Sequence, residues 1–438
     1  MQTMVNFTTR VVQRYMPDAF ILAIFLTVLV SGAALIFTPS TPLDVVNSWG
    51  TGFSELFTFA MQMALVLLTG YILALSPIVT KLLDKLTDIP KTPRQGYLMT
   101  AAISFFACYL NWGMGLVVGA LLARAIGRKI PGIHFPLVVA AAYSAEIVRG
   151  PSSSIPAVMA TPDHFMFEET GLIPVSETLY SPWNLAITAV ILVALLVFYA
   201  SVRVPKENII SFTGPEADDV GETVDRSSMT PAEKLDHSRI LLLLLAILPG
   251  TYLVSHFATN GFDINLNTVI LLFLTLALVA HRNVVELLAA VEEAITSTRG
   301  IILQFPLYAG VAGIMATSGL VDVISDWIIG VATQETFPVL TFLSAGVVNF
   351  FIPSGGGQWA VQGPVTMAAA EAIGADIPQT LMAFAWGDAW TNQVQPFWAL
   401  PLLGVAGLSA RDIMGYCMIW LLVTGVIIAG AFTLLAMF

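Results

Sequence analysis

Three ionisable residues, Glu146, Arg149 and Asp388, stand inside stretches of this chain that are otherwise apolar. A charged side chain at membrane depth is costly, so such groups are paired or functional. Glu146 and Arg149 are three residues apart, a spacing that allows an ion pair within one helix. Asp388 has no basic residue near it in the sequence. It is the first candidate for carrying a coupling ion, with Glu146 as the second, and a water-exposed structural carboxylate is the alternative reading.

Polar, glycine-rich runs interrupt two other apolar segments. One reads Asn111-Trp112-Gly113-Met114-Gly115 and the other Pro353-Ser354-Gly355-Gly356-Gly357-Gln358-Trp359. Irregular backbone at membrane depth survives only where it lines a wet cavity or is buried in protein. Glycine lets two chain arms approach and leaves N–H groups free to face an anion, and half-helix N-termini add positive dipole. Asn111, Gly113, Gly115, Ser354, Gly355, Gly356, Gly357 and Gln358 are therefore candidate substrate-binding positions. Close helix packing through small residues is the competing reading.

Each glycine run is followed by a second break. These are Arg149-Gly150-Pro151-Ser152-Ser153-Ser154-Ile155-Pro156 and Thr391-Asn392-Gln393-Val394-Gln395-Pro396. Proline frees backbone carbonyls, which together with hydroxyl and amide groups can coordinate a cation. Arg149, Ser152, Ser153, Ser154, Asn392 and Gln395 complete the candidate binding set. Trp359, Trp386, Trp390, Phe397 and Trp398 crowd the later breaks, where they would wall an apolar pocket or sit at a membrane interface.

The elements that position these residues are membrane helices. The chain is 57% hydrophobic and 11% charged, with a mean hydropathy of +0.82. Eleven apolar elements are expected, near 18–38, 54–78, 97–124, 134–161, 183–203, 239–258, 267–281, 300–318, 337–372, 378–408 and 412–437. The first, behind Arg10 and Arg14, is too long for a signal-peptide core and reads as a retained helix. Net charge, here −11, does not set orientation, whereas Lys and Arg do. Those residues avoid the connections near 39–53, 162–182, 259–266, 319–336 and 373–377. If elements three and nine are re-entrant hairpins, about 97–124 and 337–372, all seventeen basic loop residues face the cytoplasm. The expected fold is thus an all-α polytopic membrane protein with about nine crossings and two re-entrant hairpins, its N-terminus cytoplasmic.

The two halves also resemble each other. Gln62, Leu65, Ile72, Ala74 and Ser76 recur 242 residues later as Gln304, Leu307, Ile314, Ala316 and Ser318, and Glu146 recurs as Asp388. With opposite starting sides, this predicts two inverted-topology repeats, 1–205 and 260–438. A cytoplasmic linker at 206–238 and an extra connecting helix at 239–259 lie between them. The linker is acidic, with Glu216, Asp218, Asp219, Glu222 and Asp225, and Thr230-Pro231-Ala232-Glu233 forms a capping box that would start the next helix.

Other chemistries lack support. Cys108 and Cys417 lie in apolar segments and read as buried thiols. The histidines, at 134, 164, 237, 256 and 281, show no metal-ligand spacing. No Walker loop, nucleophile–base pair or cofactor motif is present, so neither an enzyme, an ATP-driven pump nor a nucleic-acid partner is expected, and no cofactor beyond a coupling H+ or Na+.

Several motifs resemble the bacterial short-chain fatty-acid transporter family. They are Asn349-Phe350-Phe351-Ile352-Pro353-Ser354-Gly355-Gly356-Gly357-Gln358-Trp359, Asn111-Trp112-Gly113-Met114-Gly115-Leu116, Gln395-Pro396-Phe397-Trp398-Ala399-Leu400-Pro401 and Arg411-Asp412-Ile413-Met414-Gly415-Tyr416-Cys417. The resemblance spans nearly the whole chain. It implies uptake of a small carboxylate such as butyrate or acetoacetate across the bacterial inner membrane, by a homodimer with mirrored halves. Glu146 and Arg149 depart from the family's glycine- and serine-rich break, and an added cation there would favour an acid with a second polar group.

Overall fold

The computed structural model describes residues 19–212, 229–261, 263–350, 352 and 354–437. Arg10, Arg14, the acidic residues at 216–225 and Pro353 lie outside the described residues, as does the Phe397 side chain. Regular structure among the described residues is entirely helical. The first half runs α1 (Ala19–Phe37), α2 (Pro42–Gly52), α3 (Phe57–Ala74), α4 (Pro77–Leu86), α5 (Pro93–Leu110), α6 (Trp112–Lys129), α7 (Phe135–Ser144), α8 (Ser154–Met159), the short turn α9 (Phe167–Thr170) and α10 (Pro182–Ser201). Then come α11 (Pro231–Asp236) and α12 (Arg239–Asn260). The second half comprises α13 (Leu266–Ala280), α14 (Val284–Ile295), α15 (Arg299–Ser318), α16 (Leu320–Ile329), α17 (Phe337–Asn349), α18 (Gly355–Ile373), α19 (Ile377–Asn392), α20 (Pro396–Ala406) and α21 (Ala410–Leu435). Helices α3 to α6 start at 57, 77, 93 and 112, and α15 to α18 at 299, 320, 337 and 355, so the pattern recurs after 242 to 244 residues.

Local chemistry fixes these boundaries. Ser76, Thr92, Ser181 and Thr230 each cap a helix whose first turn carries proline, and Thr92 and Thr230 complete capping boxes with Gln95 and Glu233. Gly319, Gly374 and Gly407, all at positive φ, end α15, α18 and α20. Stretches Phe57–Ala74, Pro182–Ser201, Arg239–Asn260, Val284–Ser318 and Ala410–Leu435 are long and apolar enough to cross a bilayer. Ile240, Leu244, Leu248 and Val254 leave an apolar face exposed on α12, as a lipid-facing helix does. By contrast α7 is wholly buried, with residues 137–142 at 0% exposure.

Some expectations change. The short helices α2, α4, α14 and α16 fall where connections were expected, because they are brief and amphipathic rather than long and apolar. The capping box at Thr230 starts α11, but α11 stops at Asp236 and α12 begins anew at Arg239. The start of the linker is tied down: Ile210 O accepts from Phe135 N–H at 2.8 Å, and Phe212 stacks edge-on against Phe135.

Candidate functional site

Both glycine runs form tips of helical hairpins. In the first, α5 and α6 are joined by the single extended residue Asn111. Its Oδ1 accepts from Met114 N–H at 2.9 Å and its Nδ2 donates to Val66 O at 3.1 Å, so the amide is used on both sides. The arms run antiparallel: a Cβ on Gly115 would strike Cys108, and one on Gly119 would sit 2.9 Å from Ser104 Oγ. Gly113 faces Leu67. Gly115 and Gly119 thus serve arm packing, and Gly113 lets the tip approach α3.

In the second hairpin α17 and α18 are linked by residues 350–354. Gln358 Nε2 donates to Ala345 O at 2.8 Å, and Gln362 Nε2 to Ser344 Oγ at 3.2 Å, which again sets the arms antiparallel. Ser354 caps α18 by accepting from Gly357 N–H. A Cβ on Gly355 would lie 2.8 Å from both Asp388 Oδ2 and Ser154 Oγ, so only glycine permits this approach. Gly356 packs on Phe59 and Phe305, and Gly357 on Tyr308.

The later breaks meet these tips. After α7 a single 3₁₀ turn, Ala145–Ile147, gives way to extended chain at Val148. Arg149 Nη2 donates to Glu146 Oε1 at 3.1 Å and to Glu146 O at 2.6 Å, while Nε reaches Ile147 O at 3.3 Å. The expected ion pair therefore forms, but across an unwound turn rather than along a helix. Ser152 Oγ accepts from Trp112 N–H and Ser153 Oγ from Gly150 N–H. The second break is shorter than expected, because α19 continues through Thr391 and Asn392 and only 393–395 are non-helical. Asn349 Nδ2 donates to Asp388 O, Asn392 Oδ1 and Thr391 Oγ1 at 2.7, 2.7 and 3.0 Å, and Gln395 Nε2 to Asn349 O at 2.8 Å. Tyr143 OH braces this break from the first half by donating to Asn392 O at 2.6 Å, and Gln393 Nε2 donates to Glu146 Oε2 at 3.4 Å.

One small cavity, about 40 Å³, lies where tips and breaks converge. A water occupies roughly 10–15 Å³ on this scale, so the cavity holds only a few waters and its walls must part for an acid of several heavy atoms. Glu146, Arg149, Ser154, Ser354, Asp388 and Asn392 line its polar side with Gly355 and Gly356. Met63, Ile301, Phe305, Trp112 and Trp398 line the apolar side, the two indoles in an edge-on pair 5.4 Å apart. Glu146, Arg149 and Asp388 are 3%, 6% and 2% exposed, so two carboxylates and one guanidinium share a buried space.

Eight of the sixteen sequence candidates thus line the cavity. Asn111, Gly113, Gly115, Ser152, Ser153, Gly357, Gln358 and Gln395 form the layer around it. Trp359 packs against Phe384, and Trp386 and Trp390 donate to Asn184 and to Leu421 O, all away from the cavity. Sequence reasoning missed Met63, Ile301, Phe305 and Trp112. Met63 and Phe305 stand 242 residues apart, next to the Gln62–Gln304 match, so the repeat register held that signal.

Among the described residues, five side-chain oxygens around the second tip and break are buried without a hydrogen-bond partner: Asn349 Oδ1, Gln358 Oε1, Asp388 Oδ1, Gln393 Oε1 and Gln395 Oε1. Buried acceptors of this kind demand a partner. Among the described residues, no group of His, Cys, Asp and Glu has the makings of a conventional metal site.

The fold is that of a membrane transporter. The YdaH transporter of Alcanivorax borkumensis superposes with a TM-score of 0.55 over 96% of this chain and 98% of that one, at 14% identity. The family described as short chain fatty acid transporter matches residues 1–435. Relatives from Escherichia coli and Haemophilus influenzae are 43% and 42% identical over 435 and 431 residues, covering 98% and 96% of both chains in each pair. Each is described as a "Putative short-chain fatty acid transporter". The chain belongs to the short chain fatty acid transporter family, and is a multi-pass membrane transporter rather than an enzyme.

Proposed function

We propose that this protein is a secondary active carrier of short monocarboxylates, such as butyrate or acetoacetate, across the bacterial inner membrane, driven by a cation gradient. The observation that carries this reading is the two-sided cavity. Arg149 and the hydroxyl and amide groups suit a carboxylate, while Met63, Ile301 and Phe305 suit a short acyl chain. With Glu146 and Asp388 present, the site has one negative charge in excess before any anion enters. A carboxylate therefore enters together with a cation, H+ or Na+. The five partnerless oxygens favour a metal cation such as Na+, since a proton engages one or two acceptors and a metal ion several.

The recurrence of helices after 242 to 244 residues and the one-sided distribution of Lys and Arg support two inverted repeats. In that arrangement there are nine crossings, two re-entrant hairpins and a cytoplasmic N-terminus. Two mirrored halves suit alternating access, and the assembly is a homodimer by family resemblance.

Purified protein in liposomes, given labelled butyrate, acetoacetate or a dicarboxylate under imposed H+ or Na+ gradients, tests the reading. Uphill uptake of a monocarboxylate under one gradient is expected, as is accelerated exchange when substrate is present on the far side. Uptake without such exchange marks a passive channel. Preference for a dicarboxylate or oxo-acid assigns Arg149 and Ser354 to a second polar group on the substrate.

A further inference from the structure

The two breaks sit in matching places and solve one electrostatic problem in different ways. Glu146 and Arg149 lie 242 residues before Asp388 and Thr391, the spacing that separates the starts of α3 and α15. Unwinding after Glu146 would leave carbonyl oxygens exposed in a buried site. The Arg149 guanidinium meets them, with donors 2.6 Å from Glu146 O and 3.3 Å from Ile147 O, and also pairs with the Glu146 carboxylate. Two main-chain carbonyls and a carboxylate around one positive charge make up the oxygen set that a hard cation takes at an unwound helix. Both carboxylate oxygens of Glu146 have a donor, Arg149 and Gln393, and so does Asn111 Oδ1 at the first tip.

In the second half the position of Arg149 belongs to Thr391, which has no charge. There Asp388 takes the place of Glu146, its Oδ1 is buried with no partner among the described residues, and the side-chain oxygens of Asn349, Gln393 and Gln395 are in the same condition. In each of these amides the nitrogen already donates within the protein, so it is the oxygen that is left over. One break thus contains its cation, and its counterpart presents oxygens that need one.

We propose that Arg149 is a tethered cation. It permanently fills in the first half the place that a mobile coupling cation takes in the second, so one mobile cation moves with each substrate instead of two. Arginine suits this role because its guanidinium stays charged and offers several donors in a rigid fork. The proposal rests on the reading of the chain as a cation-coupled carrier. It adds the stoichiometry: one cation with one monocarboxylate moves no net charge.

The test compares wild type, Arg149→Thr and Arg149→Lys in liposomes, with uptake followed against cation concentration and against an imposed membrane potential. Arg149→Thr copies the second half. Wild-type uptake is expected to show a Hill coefficient of about one for the cation and no response to potential. In Arg149→Thr the coefficient rises to about two, more cation is needed for half-maximal uptake, and an inside-negative potential speeds transport. In Arg149→Lys transport weakens as the fork is lost, yet the coefficient stays at about one. A coefficient of about two in the wild type, or of about one in Arg149→Thr, overturns the tethered-cation assignment while leaving the carrier reading intact. If Arg149→Thr does not insert in the membrane, the wild-type count and Arg149→Lys decide, and a coefficient of about two in either overturns the assignment. Wild-type uptake that follows no cation gradient defeats the carrier reading itself.

Discussion

The first hairpin tip and the second are built from the same parts, yet one is hydrogen-bonded shut and the other is left wanting partners. Asn111 uses both ends of its amide, one to cap α6 and one to hold α3 through Val66 O. Asn349, the last residue of α17, spends its nitrogen on Asp388 O, Asn392 and Thr391, and among the described residues nothing donates to its buried oxygen. A saturated polar network is rigid, whereas an unsaturated one changes energy sharply when a ligand arrives. On the proposed carrier reading the difference between the halves is one of responsiveness: the first half would set geometry, and the second would be where a coupling ion acts.

The largest expected effects lie where the second half meets the cavity. Gly355→Val forces a side chain against Asp388 Oδ2 and Ser154 Oγ, each already 2.8 Å from where its Cβ would sit. Uptake is expected to be lost in this variant while expression and membrane insertion persist. Near-normal uptake would mean that the second tip is no closer to the chemistry than the first.

Asp388→Asn comes next. The shape is kept and the charge is removed. Uphill uptake is expected to vanish while substrate exchange survives, because exchange requires no net movement of the coupling ion. A variant that still concentrates substrate under the same gradient moves the coupling role away from the second half, and Glu146 becomes the residue to test.

A paired substitution sharpens the comparison directly. Asn111→Ala removes a helix cap and a buried hydrogen bond, a loss of about 2 kcal/mol. It is expected to lower thermal stability without changing the cation concentration that gives half-maximal uptake. Asn349→Ala is expected to raise that concentration roughly tenfold, the equivalent of about 1.4 kcal/mol. Equal shifts in both variants would abolish the distinction between a structural tip and a responsive one.

How much of this could be read from the sequence follows the same line. Glycine runs and the 242-residue recurrence are one-dimensional signals, and they marked the tips of both helical hairpins and the two later breaks. Helices α2, α4, α14 and α16 escaped because a short amphipathic helix resembles a polar connection when the search is for long apolar runs. Gly115 and Gly355 look alike in sequence, yet one packs on Cys108 and the other on Asp388, since glycine marks a close approach without saying to what. The spacing of Glu146 and Arg149 predicted their pair but not the unwound backbone that the guanidinium caps. Whether an oxygen finds a donor is a property of three-dimensional packing, so the contrast between Asn111 and Asn349 had no trace in residue identity.

The apolar wall gives the smallest effect, and the one in which the two halves should behave alike. Met63 on α3 and Phe305 on α15 occupy matching positions, are 3% and 2% exposed, and line the same cavity. Neither takes part in the polar networks that set the halves apart. Met63→Ala and Phe305→Ala each add room beside the acyl chain at some cost in stability. One well-packed methylene in an apolar pocket is worth about 1–3 kcal/mol, and an acid two carbons longer than butyrate that only partly fills the new room, recovering about 1 kcal/mol, is expected to gain roughly fivefold in relative uptake. Competition between hexanoate and butyrate in liposomes measures that ratio. Similar gains in both variants, with the cation dependence unchanged, would place the acyl chain between the halves and confine their asymmetry to the polar side. A gain in only one variant would show that the acyl chain leans on that half alone, and the asymmetry would then extend through the whole site.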